Sequence, residues 1–312
     1  MRLHHRTVFS FFIFCRLFVL PLEASEWRQL VRGQIVLHCY EEDLKNGERV
    51  MSIAHHALPR IVRDLNSPSI GEVTIVVAPS EKQFHALTGG QVPEWGVGAA
   101  DPSRSLVFLK SPRFARPEAN FKQIVVHELT HVVLGMALGG KEIDRWFDEG
   151  FAQYESGEKG IRGSILLARS LITGDILWLD EIDDVLTFRR EKASLAYQEA
   201  RAAVDYLVEI FGNDVIADIV QVLREGKGMD DALLAACGVG FQDFQTDWYL
   251  AMKHKYRWYI LLDFPLVIST VLVILFLMAF FATRRRIRKK KHIWEKEDLY
   301  AFQKMEEHST SN

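Results

Sequence analysis

The feature that most limits how this chain can fold is an uncharged apolar run near the C-terminus, from Phe264 to Ala282. Its 19 residues would extend about 28 Å as a helix, close to the hydrocarbon thickness of a bilayer. Trp258 and Tyr259 precede the run, as interfacial aromatic residues do. A buried core helix is the alternative, but seven Lys or Arg residues follow within the eight positions from Arg284 to Lys291. We therefore predict one transmembrane helix over residues 258–282.

The basic cluster after this run also predicts an orientation. An excess of Lys and Arg beside a span marks its cytoplasmic side. Residues 25–257 would then form a domain on the outer side of the cell membrane, periplasmic or extracellular, and residues 283–312 a basic cytoplasmic tail. The formal net charge of −3 hides this cluster and therefore says nothing about nucleic acid; we expect no nucleic-acid partner. The tail is compatible with contact to the membrane, binding of a partner or a plain stop-transfer role.

The N-terminus, residues 1–24, is typical of a secretory signal peptide. Basic residues precede an apolar stretch from Val8 to Leu20, and the small residues Ala24 and Ser25 offer a cleavage site. Arg16 interrupts the apolar stretch, so the segment could instead remain attached as an anchor. Either way, both ends of the chain predict export.

Three cysteines are present, and Cys15 would leave with the signal peptide. Cys39 and Cys237 remain in a domain on the oxidising side of the membrane. One disulfide and two buried free thiols are equally compatible with this number. The chain has no CxxC spacing, so these residues do not form a zinc site.

The predicted fold class is α+β. Strand-like stretches cover Gly33 to Tyr40, Glu72 to Ala78 and Ser105 to Lys110, and a glycine-rich turn region covers Gly89 to Asp101. Helical periodicity dominates the chain from Phe121 onwards. We expect a small N-terminal β-sheet packed on a mostly helical body, followed by the one C-terminal transmembrane helix.

The string from Ile124 to Leu134, IVVHELTHVVL, carries a metal-binding pattern. His127 and His131 would stand one turn apart on one face of a helix, from which two imidazoles can reach one metal ion. Glu128 lies beside the first histidine and can reach a water molecule without binding the metal. Two histidines satisfied by hydrogen bonds on a core helix are the plainer alternative.

The segment RWFDEGFAQYES supports the metal interpretation. Its Glu149 lies 18 positions after His131, and the Gly139-Gly140 break lets a second helix return towards the first. Two His and one Glu leave a fourth position open, as a catalytic zinc site requires. A solvated carboxylate is the alternative for Glu149, but its neighbours Trp146 and Phe147 argue for burial.

HELTH followed by WFDEGFAQY resembles the gluzincin metallopeptidases, most closely the peptidase MA-like family of exported proteins. The order of PEWGVGAAD, SLVFLKSP and the metal helix is also similar, so the resemblance covers residues 73–212. It implies a zincin-like body, a Zn²⁺ cofactor and a peptide or protein substrate. It also implies zinc ligands at His127, His131 and Glu149, and Glu128 as the general base of hydrolysis by a zinc-activated water.

Two departures from the large gluzincin aminopeptidases matter. Those enzymes carry one residue more between the second His and the ligand Glu. They also carry a Gly-x-Met-Glu-Asn signature whose Glu holds the substrate amino terminus. The comparable loop here, Gly96 to Ala100, has no carboxylate, which speaks against an aminopeptidase.

The resemblance also suggests how the oxyanion is stabilised. Gluzincins often use a downstream Tyr or His, and Tyr197 is the candidate in this chain; a packing role is equally compatible with its position. Asp148 either orients a ligand from behind or is an exposed carboxylate.

The sequence therefore predicts a membrane-anchored zinc peptidase that contacts lipid through its C-terminal helix. A non-catalytic zinc-binding interaction module tethered to the membrane is the alternative. Loss of a ligand or of Glu128 would indicate such a module, and neither is lost. The sequence does not specify the substrate, or whether cleavage is internal or terminal.

Overall fold

A computed structural model describes residues 27–67, 70–90, 92, 96–114, 120–158, 160–188 and 190–309. The predicted signal peptide, residues 1–24, lies outside the described residues, as do residues 93–95 of the PEWGVGAAD segment. The chain divides into two compact units between His254 and Lys255. The first unit carries the sheet and most of the helices, and the second carries the long C-terminal helix.

The described sheet has five strands in the order β1-β2-β3-β5-β4. The strands are β1 (Trp27–Arg32), β2 (Ile35–Tyr40), β3 (Val73–Ala78), β4 (Gly98–Asp101) and β5 (Leu106–Lys110). The three central strands run parallel and are almost continuously apolar, as strands covered on both faces are. Both edge strands are antiparallel to their neighbours.

The two edge strands differ from the sequence-based prediction. β1 was not predicted, because four of its six side chains are exposed and three of those four are polar. A turn region was predicted over Gly89 to Asp101. Its last four residues, Gly98 to Asp101, instead form a strand that pairs with β5, so this part of the prediction was wrong. Gly98, Ala99 and Ala100 carry no β-branched or aromatic side chain, so the strand depends on its neighbour β5 and not on local propensity.

Helices make up most of the remaining described residues. In chain order they are α1 (Leu44–Asp64), α2 (Glu81–Leu87), α3 (Phe121–Ala137), α4 (Arg145–Ser156), α5 (Ile161–Thr173), α6 (Arg190–Phe211), α7 (Val215–Arg224), α8 (Met229–Cys237), α9 (Phe241–Tyr256) and α10 (Phe264–Ser309). Short 3-10 segments cover Glu41–Asp43, Pro102–Arg104, Leu179–Thr187 and Arg257–Leu262. The α+β class with a small N-terminal sheet and a mostly helical body is confirmed.

Three helices form the framework of the first unit, because α4 packs against both α3 and α6. A glycine makes the second contact possible: a Cβ at Gly150 would lie 2.4 Å from the carbonyl oxygen of Ala200 and 2.7 Å from Val204. Gln153 of α4 donates from Nε2 to the carbonyl oxygen of Tyr197, at 2.8 Å. The guanidinium of Arg201 donates back to the carbonyl oxygen of Gln153. The position of α6 is therefore fixed relative to α4.

The second unit contains one helix that is long and apolar enough to cross a membrane. Within the part of the chain that the structure describes, only Pro265–Lys291, with a mean hydropathy of 2.7, meets this condition. The finding supports the predicted span by length and composition, while the orientation stays a prediction. Cys39 and Cys237 are both free thiols, as in the second of the two alternatives for them, but only Cys39 is buried and Cys237 is partly exposed.

A buried carboxyl group on α6 predicts how stability depends on pH. Glu199 is 0% exposed, and both its carboxyl oxygens lie 3.3 Å from the backbone N–H of Leu177. Burial is the main cause that raises the pKa of Glu199, to about 9. Since the pKa in the unfolded chain is the ordinary, lower one, the stabilisation from the neutral form is complete below pH ~4.5. It is lost, at about 1.4 kcal/mol per pH unit, as the pH rises towards 9.

Glu199→Gln removes this titration and keeps an acceptor oxygen for Leu177. We expect the variant to melt on the order of 10–20 °C above the wild type at pH 8, and at nearly the same temperature at pH 5. Thermal melts of the full-length protein in detergent across this pH range check the expectation. If the melting temperatures of the variant and the wild type differ by the same amount at pH 5 and pH 8, the pKa of Glu199 is not raised in the folded protein and the expectation is wrong.

Candidate metal centre

Two adjacent helices bring three metal-type donors together. His127 and His131 lie one turn apart on α3, and Glu149 approaches from α4. The donor atoms all lie within 4.8 Å of one another. The two histidine Nε2 atoms are 3.1 Å apart. Oε2 of Glu149 lies 3.4 Å from Nε2 of His127 and 3.5 Å from Nε2 of His131. The three side chains predicted to bind a metal therefore converge on one point.

A carboxylate stands behind each imidazole. Nδ1 of His131 lies 2.6 Å from Oδ1 of Asp148, and Nδ1 of His127 lies 3.2 Å from Oε1 of Glu158. Such a carboxylate accepts the Nδ1 proton of a neutral imidazole, which leaves the lone pair of Nε2 for a metal ion. The 2.6 Å contact assigns the proton of His131 to Nδ1, whereas Nδ1 of His127 lies at ion-pair distance from Glu158 without a formed hydrogen bond. Asp148 thus takes the orienting position that was one of its two predicted alternatives.

The electrostatics of the cluster favour a cation. Burial alone would lower the pKa of His127, but the carboxylates of Glu149 and Glu158 outweigh it and raise that pKa to about 10. Burial opposes ionisation of Glu149, yet the two histidines hold its pKa well below the usual range. Positive charge is stabilised where the two Nε2 atoms and Oε2 meet, whether protons on the imidazoles or a metal ion bound to the neutral imidazoles carries it. Two neutral imidazoles and one carboxylate are a donor set that zinc accepts, so the residues present fit the metal.

Glu128 lies beside the converging donors without being one of them. Burial, the largest cause, raises the pKa of its carboxyl group, and the nearby histidines act in the opposite direction. Its side chain lies against β4 at Gly98: a Cβ at this glycine would lie 2.6 Å from both Cγ and Oε1 of Glu128. The glycine at this position therefore makes room for the carboxylate.

The cluster opens into a cavity of about 480 Å³. α3 and α4 supply its polar wall, and residues from the β4 region, including Val97, Ala99 and Pro102, supply an apolar wall. Tyr197 of α6 lines the same cavity. Burial raises the pKa of Tyr197, and the negative charge of Glu149 raises it further. All five predicted site residues thus border one space, while the role of Tyr197 stays a prediction.

Sequence reasoning missed Glu158 and Gly98. Glu158 follows the end of α4 at Gly157, whose left-handed φ of 71° ends the helix, so no helical spacing links Glu158 to the motif. The one signal in the sequence for Glu158 was its position just after α4, the helix that carries Glu149. Gly98 lies in a segment without a strand pattern, and its contact with Glu128 depends on how the sheet packs against α3.

A mixed sheet, a helix that presents HExxH and a following helix that returns a glutamate define a metallopeptidase-like protein. The chain belongs to the Peptidase MA superfamily, whose family model matches residues 92–254, more than half of the chain. This assignment confirms the resemblance given by HELTH and WFDEGFAQY, and it supports a peptidase-like enzyme. Members of the superfamily are generally zinc-dependent. No curated protein matches the chain.

Proposed function

We propose that this protein is a membrane-anchored, zinc-dependent peptidase. The observation that carries the proposal is the convergence of Nε2 of His127, Nε2 of His131 and Oε2 of Glu149, with Glu128 beside them in the same cavity. These three side chains would hold the zinc ion. Zinc bound there would lower the pKa of a water molecule and polarise the scissile carbonyl group.

Glu128 supplies the acid–base chemistry in this proposal. It takes a proton from the attacking water and passes it to the leaving amine, so that one carboxyl group serves as base and then as acid. Its side chain lies against Gly98, in the same cavity as the three donors. Asp148 and Glu158 keep the two imidazoles in the orientation that the site requires.

The edge strand β4 offers a place for an extended substrate. The N–H of Lys110 donates to the carbonyl oxygen of Val97, so in the antiparallel ladder the next residue, Gly98, directs its N–H and C=O away from β5. Ala100, two residues further along β4, likewise directs its N–H and C=O away from β5. β4 is the last strand of the described sheet on this side and borders the cavity. A peptide that adds to this edge would pass in front of Glu128.

Zinc quantification and digestion of a peptide library by the full-length protein in detergent test the proposal together. About one zinc per chain with cleavage that Glu128→Gln abolishes is the expected result. Zinc binding without any cleavage would favour the alternative, a non-catalytic interaction module. Absence of zinc from a folded wild-type protein would contradict both.

Tyr197 provides a separate prediction about the oxyanion. If its hydroxyl donates to the developing negative charge, Tyr197→Phe lowers the cleavage rate roughly a hundredfold. Zinc content and melting temperature would stay close to those of the wild type, since the ring remains. A folded, zinc-loaded variant that cleaves at nearly the wild-type rate would assign Tyr197 to packing. The donor would then have to come from elsewhere, for example a backbone amide of residues 96–100.

The membrane arrangement gives a further prediction. We expect residues 25–257 outside the cytoplasm, a span over 258–282 and a cytoplasmic tail over 283–312, because the basic cluster from Arg284 to Lys291 follows the apolar run. Protease added to intact spheroplasts should remove the outer domain and spare an epitope placed after Lys291. The same epitope should be digested once detergent opens the membrane. Digestion of the epitope before detergent is added would reverse the orientation.

A further inference from the structure

The two carboxylates next to each other on α4 each divide their oxygens between two partners. Oδ1 of Asp148 faces Nδ1 of His131, and Oε2 of Glu149 faces the Nε2 atoms of both histidines. The other oxygens face the guanidinium of Arg145: Oδ2 of Asp148 lies 3.7 Å from Nη1, and Oε1 of Glu149 lies 3.6 Å from Nε. The guanidinium of Arg145 thus lies close to two carboxylates. One belongs to the metal-type donor Glu149, and the other belongs to Asp148, which orients the donor His131.

Helix geometry makes this bridge possible. Asp148 and Glu149 lie three and four positions after Arg145, the two spacings at which side chains on a helix are neighbours. The planar guanidinium presents separate N–H groups to separate acceptors, which the ammonium of a lysine cannot do in the same way.

The location of Arg145 is unfavourable for the helix itself. Arg145 is the first residue of α4, where a positive charge opposes the helix dipole. Its side chain is also only 31% exposed, so it has lost part of its hydration. Among the described residues that line the cavity, it is the one Lys or Arg. The helix dipole and solubility do not account for an arginine at this position, whereas the two carboxylates do.

We propose that Arg145 is a positioning residue that holds Glu149 and Asp148 in the orientation needed for metal binding. The inference rests on the proposed zinc site. With Oε1 engaged by the guanidinium, Glu149 offers the metal only Oε2, and the fourth position stays open. The same cation keeps Asp148 turned towards His131. Without Arg145, Glu149 is free to offer both oxygens, and Asp148 loses one of its two restraints.

Metal affinity and cobalt spectroscopy test this role without relying on turnover. Arg145→Ala in the full-length protein is expected to weaken Zn²⁺ binding about 10–100-fold in competition with a chromophoric chelator. Co²⁺ in place of Zn²⁺ should show weaker visible absorption bands in the variant, because such bands lose intensity as the coordination number rises. Arg145→Lys, which restores one charge but not the two-sided contact, should recover part of the affinity.

Arg162 is a suitable control, being an exposed arginine in the first turn of α5 and away from the cavity lining. Arg162→Ala should leave both measurements unchanged. A wild-type metal affinity and Co²⁺ spectrum in Arg145→Ala, with a raised KM for peptides, would overturn the proposal and assign Arg145 to substrate binding. If Arg145→Ala does not fold, the same measurements on Arg145→Gln decide the question. Failure of the wild-type protein to bind zinc would instead refute the proposed function itself.

Discussion

Glu128→Gln is expected to bind zinc as the wild type does and to cleave peptides about a thousandfold more slowly. The carboxyl group of Glu128 is not among the three groups whose donor atoms converge, so its loss should spare the metal. Glutamine has nearly the same shape, so it should fit the space beside Gly98 in which Glu128 now lies. What disappears is the group that accepts and returns a proton. Binding and chemistry are therefore separated by a single amide substitution.

The measurement pairs zinc content per chain with initial cleavage rates on the best peptide from the library. Glu142→Gln is a matched control, because Glu142 is exposed and precedes α4 outside the cavity lining. The control should cleave at the wild-type rate and bind the same amount of zinc. If Glu128→Gln keeps both its zinc and its rate, Glu128 is not the base and the proposed mechanism is wrong.

The parts of the site that the sequence predicted are those set by spacing within one helix. His127, Glu128 and His131 occupy neighbouring positions on α3, and helical periodicity alone places both histidines on one face. Glu149 required one more step, a helix that turns back after Gly139 and Gly140. The structure contains that return, and both glycines adopt a left-handed φ, of 67° and 78°.

The parts that the sequence did not predict depend on contacts between elements. β4 becomes a strand because β5 lies beside it, and Gly98 is needed because Glu128 of α3 packs against that strand. Glu158 reaches His127 from beyond the end of α4. Arg145 has helical spacing to Glu149, but its significance appears only when the two oxygens of that carboxylate are seen to face different partners. Local patterns carry none of this information.

Replacement of any of the three converging donors is expected to have the most complete effect. His127→Ala, His131→Ala and Glu149→Ala should each reduce zinc from about one per chain to a small fraction at ordinary zinc concentrations, and cleavage should fall with it. Two remaining donors cannot provide the three protein ligands of a catalytic zinc site. Each truncation also leaves a buried charge or imidazole without its partner, since the three side chains contact one another directly.

Zinc content and thermal stability together distinguish loss of the metal from loss of the fold. A bound ion stabilises the folded protein by mass action, so a chelator should lower the melting temperature of the wild type but hardly that of the three variants. His56→Ala serves as the control, because His56 is an exposed histidine on α1 that is not among the residues lining the cavity. It should keep both the zinc and the response to the chelator.

Full zinc occupancy in all three donor variants would remove the metal assignment. Retained occupancy in Glu149→Ala alone would leave the two histidines as ligands and require a third donor other than Glu149.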